Sequence, residues 1–312
     1  MTLGQAYRHC EQTTRREAGN FYYGIRLLAP AQRQAMCAVY AFARRVDDIG
    51  DGSLAPAAKL SGLEREARAL ARLPGAVDED PVLIALADAY QRFQIPPDAL
   101  PALIDGVRMD VEGVRYETFE ELVLYCRRVA GAIGRACLAI FGLRRRGEGE
   151  RVEAAQLADD LGVALQLTNI LRDLREDAEH GRVYLPAQDI RRYGLLADGQ
   201  EAQAPALLAG LAATAHRGYE SELEDLASLC ALMRFEADRA SGWFERGIVL
   251  TEQLDRRSAA CVLAMANIYR RLLVRIEDEP LRALQERMAL RGHEKAWVAT
   301  RSMFGDLVGR HA

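Results

Sequence analysis

The stretch Gln166-Leu-Thr-Asn169-Ile-Leu-Arg172-Asp173-Leu-Arg-Glu-Asp177 combines an apolar and an acidic pattern at helical spacing. On a helix, positions 166, 169, 173 and 177 share one side, and the leucines at 167, 171 and 174 form the buried side beside it. Asp173 and Asp177 lie one turn apart, and like charges at that spacing disfavour an isolated helix by about 0.2–0.5 kcal/mol. A purely structural helix would more often carry Lys or Arg there. We therefore expect this side to face a cation.

A second polar stripe lies much earlier in the chain and comprises Tyr40, Arg44, Asp47 and Asp51. One stripe alone is more simply explained as a solvated face with local ion pairs. Two stripes, with Gln and Asn in place of simple ion-pair partners, favour cations held between facing helices. Carboxylate and amide oxygens suit magnesium, which keeps several waters and takes one or two protein carboxylates plus substrate phosphates. Arg44 and Arg172 lie within a turn of the acids, where their guanidinium groups suit a diphosphate.

The composition is that of a globular protein with a large core. The chain has 312 residues, of which 50% are hydrophobic, and its formal net charge is −4. This charge argues against a nucleic-acid partner. We find no strand pattern, no GxGxxG after a strand and no phosphate-binding GxxxxGK[ST] loop.

The cysteine pattern and the hydropathy indicate the cellular compartment in which we expect the protein. The six cysteines form no CxxC pair and no zinc-binding spacing with histidine, and most lie in apolar helical stretches. Reduced, buried cysteines fit a cytoplasmic protein. The N-terminal residues lack the apolar core of a signal peptide, and no apolar run reaches the length of a membrane-spanning helix. A peripheral role at a membrane surface stays open, since a greasy substrate could require one, and the sequence indicates no particular oligomeric state.

The periodicity predicts a single all-α domain over residues 1–312, built as a helical bundle. Thr118 resembles the start of a capping box, and Asp80 is a plausible N-cap. The predicted helices are Pro56–Arg72, Pro81–Arg92, one after Pro97 to Glu112, Thr118–Phe141, a long helix with the second stripe that ends near Gly181, Ala206–Leu229, Ala231–Leu250, Arg257–Glu277 and a short one after Pro280. Predicted loops cover 144–151 and 197–204, and a short polar tail ends the chain.

Several motifs resemble those of the squalene/phytoene synthase family. Arg44-Arg-Val-Asp47-Asp-Ile-Gly-Asp51 and the stretch from Gln166 to Asp177 resemble its two aspartate-rich motifs. Gly181-Arg-Val-Tyr-Leu-Pro186 is similar to the segment after the second motif, and Tyr125-Cys-Arg-Arg-Val-Ala-Gly-Ala-Ile-Gly134 is similar to the central helix. The resemblance runs from about Phe21 to about Arg287. It implies an all-α fold with a central cavity between two acidic helices.

The resemblance also implies roles for individual residues. Asp47, Asp51, Asn169, Asp173 and Asp177 match the ligands of Mg²⁺, and the four aspartates together with Tyr125 are the catalytic candidates. The implied substrate-binding residues are Asn20, Phe21, Tyr40, Arg44, Gln166, Arg172 and Tyr269. Many family members carry Ser just before the aromatic residue at position 21, where this chain has Asn20, whose amide can also donate. Asp48 lies one residue off the stripe, Asp110 is a second-tier candidate, and we expect Tyr184 to be a packing residue.

The implied reaction joins two allylic prenyl diphosphates head to head. Asn20–Leu28 and Asp47–Gly52 are similar to bacterial hopanoid-pathway members, so we expect two farnesyl diphosphates to give presqualene diphosphate and diphosphate. The alternatives are two geranylgeranyl diphosphates, as in phytoene synthesis, or a dehydrosqualene or squalene synthase. We recognise neither the nicotinamide site of reductive members nor a C-terminal membrane anchor. Three other functional classes remain: an inactive prenyl-lipid binder, a head-to-tail prenyltransferase and a terpene cyclase. The two intact stripes disfavour the first class, and the spacing and residues of the second motif disfavour the other two.

Overall fold

The computed structural model describes residues 1–73, 75, 79–144, 147–217 and 223–303, and these residues contain helices but no strand. This confirms the all-α prediction. The helices are α1 Leu3–Glu17, α2 Phe21–Ile25, α3 Pro30–Asp51, α4 Pro56–Ala71, α5 Pro81–Phe93, α6 Ala99–Glu112, α7 Phe119–Cys126, α8 Ala132–Phe141, α9 Glu148–Arg172, α10 Leu174–Glu179, α11 Ala187–Arg192, α12 Ala204–Arg217, α13 Leu223–Gly247, α14 Arg256–Asp278, α15 Pro280–Gln285 and α16 Gly292–Met303.

Two long helices organise the bundle. Helix α9 contacts α7, α8, α13 and α14, while α3 contacts α1, α5, α6 and α8. The buried side chains of nearly all helices join in one hydrophobic core. The described residues therefore form a single-domain helical bundle, and the extension of that domain to residue 312 stays a prediction because 304–312 lie outside the described residues.

Helices α8 and α9 approach each other at glycines. A Cβ on Gly162 would lie 2.7 Å from the backbone nitrogen of Gly131, and one on Gly134 would lie 2.5 Å from the carbonyl oxygen of Ala158. The prediction of one uninterrupted helix over 118–141 is wrong here, because residues 127–131 form a π-helical turn between α7 and α8. A π turn holds an extra residue. It therefore rotates α8 relative to α7, and the glycines of α8 meet α9.

The helix with the second stripe also breaks, contrary to prediction. Asp173 (φ −100°, ψ 9°) separates α9 from α10. Two arginine side chains bind its carboxylate, as described below, and the N–H of Asp173 still donates to the carbonyl oxygen of Asn169 at 2.9 Å. The predicted stop at Gly181 is confirmed: its φ of 78° lets the chain reverse, and the N–H of Arg182 donates to the carbonyl oxygen of Asp177 at 2.8 Å.

Most other helix predictions hold within a residue or two. The predicted helix Ala206–Leu229 is an exception, since α12 ends at Arg217 and positions 218–222 lie outside the described residues. The Asp80 cap is confirmed, since its carboxylate accepts from the N–H groups of Val82 and Leu83. Only half of the predicted capping box forms: Thr118 accepts from the N–H of Glu121, but the Glu121 carboxylate accepts from the N–H of Glu117. The predicted break at position 230 is wrong: α13 runs through Cys230, because Leu226, Leu229 and Met233 continue its buried side.

The predicted loops have mixed outcomes. Position 148 already begins α9, so the loop over 144–151 is shorter than predicted, and positions 145–146 lie outside the described residues. A 3₁₀ turn, Glu201–Gln203, occupies three positions of the second predicted loop. The sequence reasoning did not identify α1, α2 or α16. Residues 304–312 of the predicted tail lie outside the described residues.

All six cysteines are free and buried, as predicted for reduced core residues. Among the described residues, no helix combines the length and the apolar character needed to cross a bilayer.

A buried ionic cluster joins α11 to α13. The guanidinium of Arg239 donates to Asp189 at 2.6 Å and to Glu236 at 3.0 Å, and its cation lies over the rings of Phe119 and Phe235. Glu236 is only 2% exposed. Burial raises the pKa of Glu236 to about 7, Arg239 partly offsets this, and Asp189 adds to the rise. Two carboxylates thus share one cation, which favours protonation of Glu236 below about neutral pH.

We predict that Glu236→Gln flattens the pH dependence of stability. The native state keeps a proton on Glu236 that the unfolded chain releases above its ordinary pKa of 4.5, so wild-type stability falls as pH rises from about 5 to about 7. Gln keeps a donor at neutral charge, and the variant should gain roughly 1–3 kcal/mol relative to wild type between pH 5 and pH 8. Urea unfolding at both pH values measures this. Glu245→Gln, exposed on the same helix, is the control; equal shifts for both variants would refute the buried-proton account.

Candidate active site

A cavity of about 420 Å³ lies between α3, α6, α7, α8, α9 and α14. Carboxylates, arginines and tyrosine hydroxyls surround one end. The remaining wall is mainly apolar and includes Ile25, Met36, Val39, Ala43, Leu103, Val107, Val129, Ile133, Cys137, Phe141, Leu161, Leu165, Ile170, Leu250, Val262 and Met265. The cavity therefore suits a molecule with an anionic head and a long apolar body.

The two stripes predicted from sequence both line the polar end. Asp47 and Asp51 come from α3, while Gln166 and Asn169 come from α9, and Asp173 and Asp177 come from the α9–α10 break and α10. The environment of Asp177 includes the charges of both Asp173 and Asp51, so the stripes are near neighbours. Tyr40, Arg44 and Arg172 line the same end.

The carboxylates at this end carry more negative charge than their surroundings compensate. Burial, followed by the charge of Asp51, raises the pKa of Asp47 to about 7. Burial, followed by the charge of Asp173, raises the pKa of Asp177 to about 7. A buried carboxylate beside a like charge is stabilised by a proton or by a cation. The site is thus arranged to attract cations.

The donor set fits magnesium. The Oδ1 atom of Asn169 is buried and has no hydrogen-bond partner. Among the described residues, no three His, Cys, Asp or Glu side chains converge closely enough to hold an ion by themselves. Magnesium does not need such a cage, since it takes one or two carboxylates and completes its shell with water and phosphate oxygens. An unpartnered amide oxygen between separated carboxylates is consistent with that mode.

Two arginines donate hydrogen bonds to the carboxylate of Asp173. The Nε atoms of Arg172 and Arg287 lie 2.8 and 2.9 Å from its Oδ1. Sequence reasoning did not predict Arg287, which lies 114 positions further along the chain. Arg44 instead pairs with Asp48 at 2.7 Å, and Asp48 is exposed. Asp173 is therefore well compensated by cations, whereas Asp47 is not.

Arg182 connects the two stripes, and its role was not predicted. It follows α10, and its Nη1 donates to Oδ1 of Asp51 on α3 at 2.8 Å, while Nη2 donates to the carbonyl oxygen of Gly50 at 3.3 Å. Lys59 donates to the same carbonyl at 2.7 Å. These bonds fix the last turn of α3 beside α10. The sequence signal was present, because Arg182 lies in the segment that resembled the family motif.

Asp110 is more central than its second-tier ranking indicated. It accepts hydrogen bonds from the hydroxyls of Tyr125 at 2.9 Å and Tyr184 at 2.8 Å. Burial raises its pKa to about 6, against the lowering effect of these two bonds and of Arg182. The prediction for Tyr184 was incomplete: its ring stacks on Tyr125 at 5.2 Å, but its hydroxyl also orients Asp110 in the cavity wall.

Aromatic rings close one side of the polar end. Phe21 lines the cavity, stacks on Tyr269 at 5.5 Å and lies 6.4 Å from Tyr40. The Tyr269 hydroxyl interacts with Arg172 and Asn20. Tyr269 and Asn20 thus contact the cavity-lining residues Phe21 and Arg172. Neither Tyr269 nor Asn20 is itself among the described residues that line the cavity.

Comparisons with known proteins agree with this geometry. The family model for squalene/phytoene synthase matches residues 14–294. The phytoene synthase of Mycobacterium tuberculosis is 43% identical over 96% of this chain and 91% of its own length, and the 15-cis-phytoene synthase of Synechococcus elongatus is 33% identical over 89% and 85%. A dehydrosqualene synthase crystal structure superposes with a TM-score of 0.80 at 25% identity, covering 97% of both chains.

The squalene synthase HpnC of Alicyclobacillus acidocaldarius superposes with a TM-score of 0.72 at 25% identity, covering 89% of this chain and 95% of its own. The residues matched by the family model, 14–294, include both acidic stripes and all the residues that line the cavity. The chain therefore belongs to the squalene/phytoene synthase family, the prenyltransferases that condense two prenyl diphosphates head to head.

Proposed function

We propose that this enzyme condenses two geranylgeranyl diphosphates, as in phytoene synthesis, rather than the two farnesyl diphosphates expected from the sequence. The length of helix that lines the cavity supports this proposal. On α3 the lining runs from Asp51 to Met36, fifteen residues or about 22 Å of helix. On α9 it runs over the same length from Asp173 to Ala158. The names of the two relatives given above, both phytoene synthases, support the longer substrate.

Farnesyl diphosphate remains the second candidate. The two solved structures named above are a dehydrosqualene and a squalene synthase, and this chain shares their fold over most of its length. Presqualene diphosphate, the product expected from the sequence, would arise from that shorter substrate.

The residues suggest how the first step proceeds. The allylic diphosphate leaves once its charge is neutralised. Asp47, Asp51, Asn169, Asp173 and Asp177 would hold Mg²⁺, and bound Mg²⁺ would supply that neutralisation. Arg172 and Arg182 donate to the departing diphosphate oxygens. The apolar wall excludes water from the allylic cation, and the rings of Phe21 and Tyr40 stabilise it through their π faces. The double bond of the second prenyl chain then attacks, and loss of a proton closes a cyclopropane.

The direct test is product identity. The purified protein is incubated with Mg²⁺ and either geranylgeranyl or farnesyl diphosphate, without reductant, and the products are identified by mass spectrometry. We expect a forty-carbon product from the longer substrate at the higher kcat/KM. Turnover of farnesyl diphosphate alone, to presqualene diphosphate, would contradict the proposal and restore the second candidate.

Shortening the cavity should shift this preference. Cys137 lines the cavity, and it lies one turn beyond Gly134, which packs against Ala158 at the apolar end of the α9 lining. We predict that Cys137→Phe lowers kcat/KM for the geranylgeranyl substrate at least tenfold and that for the farnesyl substrate far less, because the ring occupies the space of the last isoprene unit.

The matched control is Cys230→Phe. Cys137 and Cys230 are both 9% exposed, but Cys230 lies on α13 away from the cavity. Both variants incur an overpacking cost of about 1–3 kcal/mol. Equal losses on both substrates in Cys137→Phe would show that position 137 does not limit chain length.

Substitutions in the two stripes should differ in their effect on the free energy of unfolding. Asp47→Asn and Asp173→Asn should each lose most turnover. Asp47→Asn should leave the free energy of unfolding unchanged or raise it, because a poorly compensated buried charge is removed. Asp173→Asn should lower it by about 1–3 kcal/mol, since Arg172 and Arg287 lose their shared partner. Urea unfolding without magnesium measures both values, and wild-type turnover by either variant would exclude that residue from the metal site.

A further inference from the structure

Helix α16 presents an outward side that no described part of the chain covers. Val298, Ala299 and Ser302 are buried, whereas positions 293, 296, 297, 300 and 303 are exposed and share one side of the helix. That side carries His, Ala, Trp, Thr and Met, without an acidic residue. Trp297 is 45% exposed and Met303 is 44% exposed. On α14, Val274 is 50% exposed.

Two arginines lie close to the exposed indole. The guanidinium carbons of Arg271 on α14 and Arg301 on α16 each lie 4.7 Å from the centre of the Trp297 ring. An exposed indole beside cationic side chains is an arrangement found where proteins meet the headgroup level of a bilayer.

The charge around this indole opposes that of the whole chain. Residues 256–275 contain five arginines and no acid, and residues 291–303 contain Arg291, Lys295 and Arg301 against one acid, Glu294. Glu294 is itself paired with Arg275 at 2.5 Å. The formal charge of the chain is −4, so the positive charge is local to residues 256–275 and 291–303, and α14 then ends with the acids Glu277 and Asp278.

This surface adjoins the cavity. The Nζ atom of Lys295 on α16 donates to the carbonyl oxygen of Gly19 at 3.3 Å, two residues before the cavity-lining Phe21. On α14, Tyr269 stacks on Phe21, two residues before Arg271. A long prenyl chain that enters or leaves past Phe21 would therefore pass close to this surface.

We propose that Arg270, Arg271, Val274, Trp297, Arg301 and Met303 form a docking face for the surface of a bilayer that contains anionic lipids. The arginines bind the headgroups, while Trp297, Val274 and Met303 insert to the headgroup boundary. The charge and exposure of this face support the proposal whether the prenyl substrate has fifteen or twenty carbons. It rests on the proposed function only in the expectation that the product is a lipid.

The test uses the fluorescence of Trp297 in the full chain. Trp243→Phe removes the other tryptophan and leaves Trp297 as the single indole. The protein is titrated with vesicles of phosphatidylcholine alone or with phosphatidylglycerol added. We expect a blue shift of the emission and co-sedimentation with the anionic vesicles only, both weakened by salt.

Substitutions then locate the face. In the same background, Arg271→Glu with Arg301→Glu should weaken binding to anionic vesicles at least tenfold. Turnover of prenyl diphosphates in vesicle-free buffer should be retained, which shows that the double variant folds and separates this test from the proposed function. Arg68→Glu, at an exposed arginine on α4, is the charge control and should bind nearly as well as the parent.

Two outcomes would overturn the proposal. The first is equal binding to neutral and anionic vesicles, or equal loss in the Arg68→Glu control. The second is a concentration-dependent shift of Trp297 emission without vesicles, which would assign the face to a second copy of the chain.

Discussion

The structure depends on the concentration of negative charge at one end of an apolar cavity. Asp47, Asp51, Asp110, Asp173 and Asp177 all line that end. Mutual repulsion and burial make such a cluster unfavourable unless cations are close to it. Arg172, Arg182 and Arg287 supply part of the compensation, and the unpartnered oxygen of Asn169 and the raised pKa values of Asp47 and Asp177 mark what is left. The polar end therefore favours the binding of cations, and we propose that metal ions and an anionic substrate complete it.

The rest of the bundle holds this unfavourable arrangement together. The carboxylates come from helices anchored elsewhere by apolar packing: α3 against α1, α5 and α6, and α9 against α8 and α13. Arg182 spans the gap by bonding to Asp51 and to the backbone at the end of α3. Because packing energy lies mainly outside the polar end, the acids keep positions that their own interactions disfavour. This separation lets the chain combine a stable core with a reactive site.

Much of the fold and part of the site could be predicted from sequence, because both depend on the local spacing of apolar and acidic residues along the chain. The stripe from Gln166 to Asp177 and the caps at Asp80 and Thr118 needed only neighbours in the chain. The contact of Arg287 with Asp173 did not, since Arg287 lies 114 positions away. The π turn after Cys126 orients α8 against α9, and that packing is also tertiary. Arg182 and Asp110 were underrated for the same reason, as their partners come from distant segments.

The central proposal is that the α3 wall and the α9–α10 wall of the cavity bind one diphosphate through shared metal ions. The most direct measurement is a crystal structure with Mn²⁺, located by its anomalous signal, and an unreactive thio-analogue of geranylgeranyl diphosphate. The account predicts metal peaks between Asp47 and Asp51 on one side and Asn169, Asp173 and Asp177 on the other, with the prenyl chain running past Ala43 and Val39 towards Met36. Metal peaks on one wall only, or a prenyl chain outside the cavity, would contradict it.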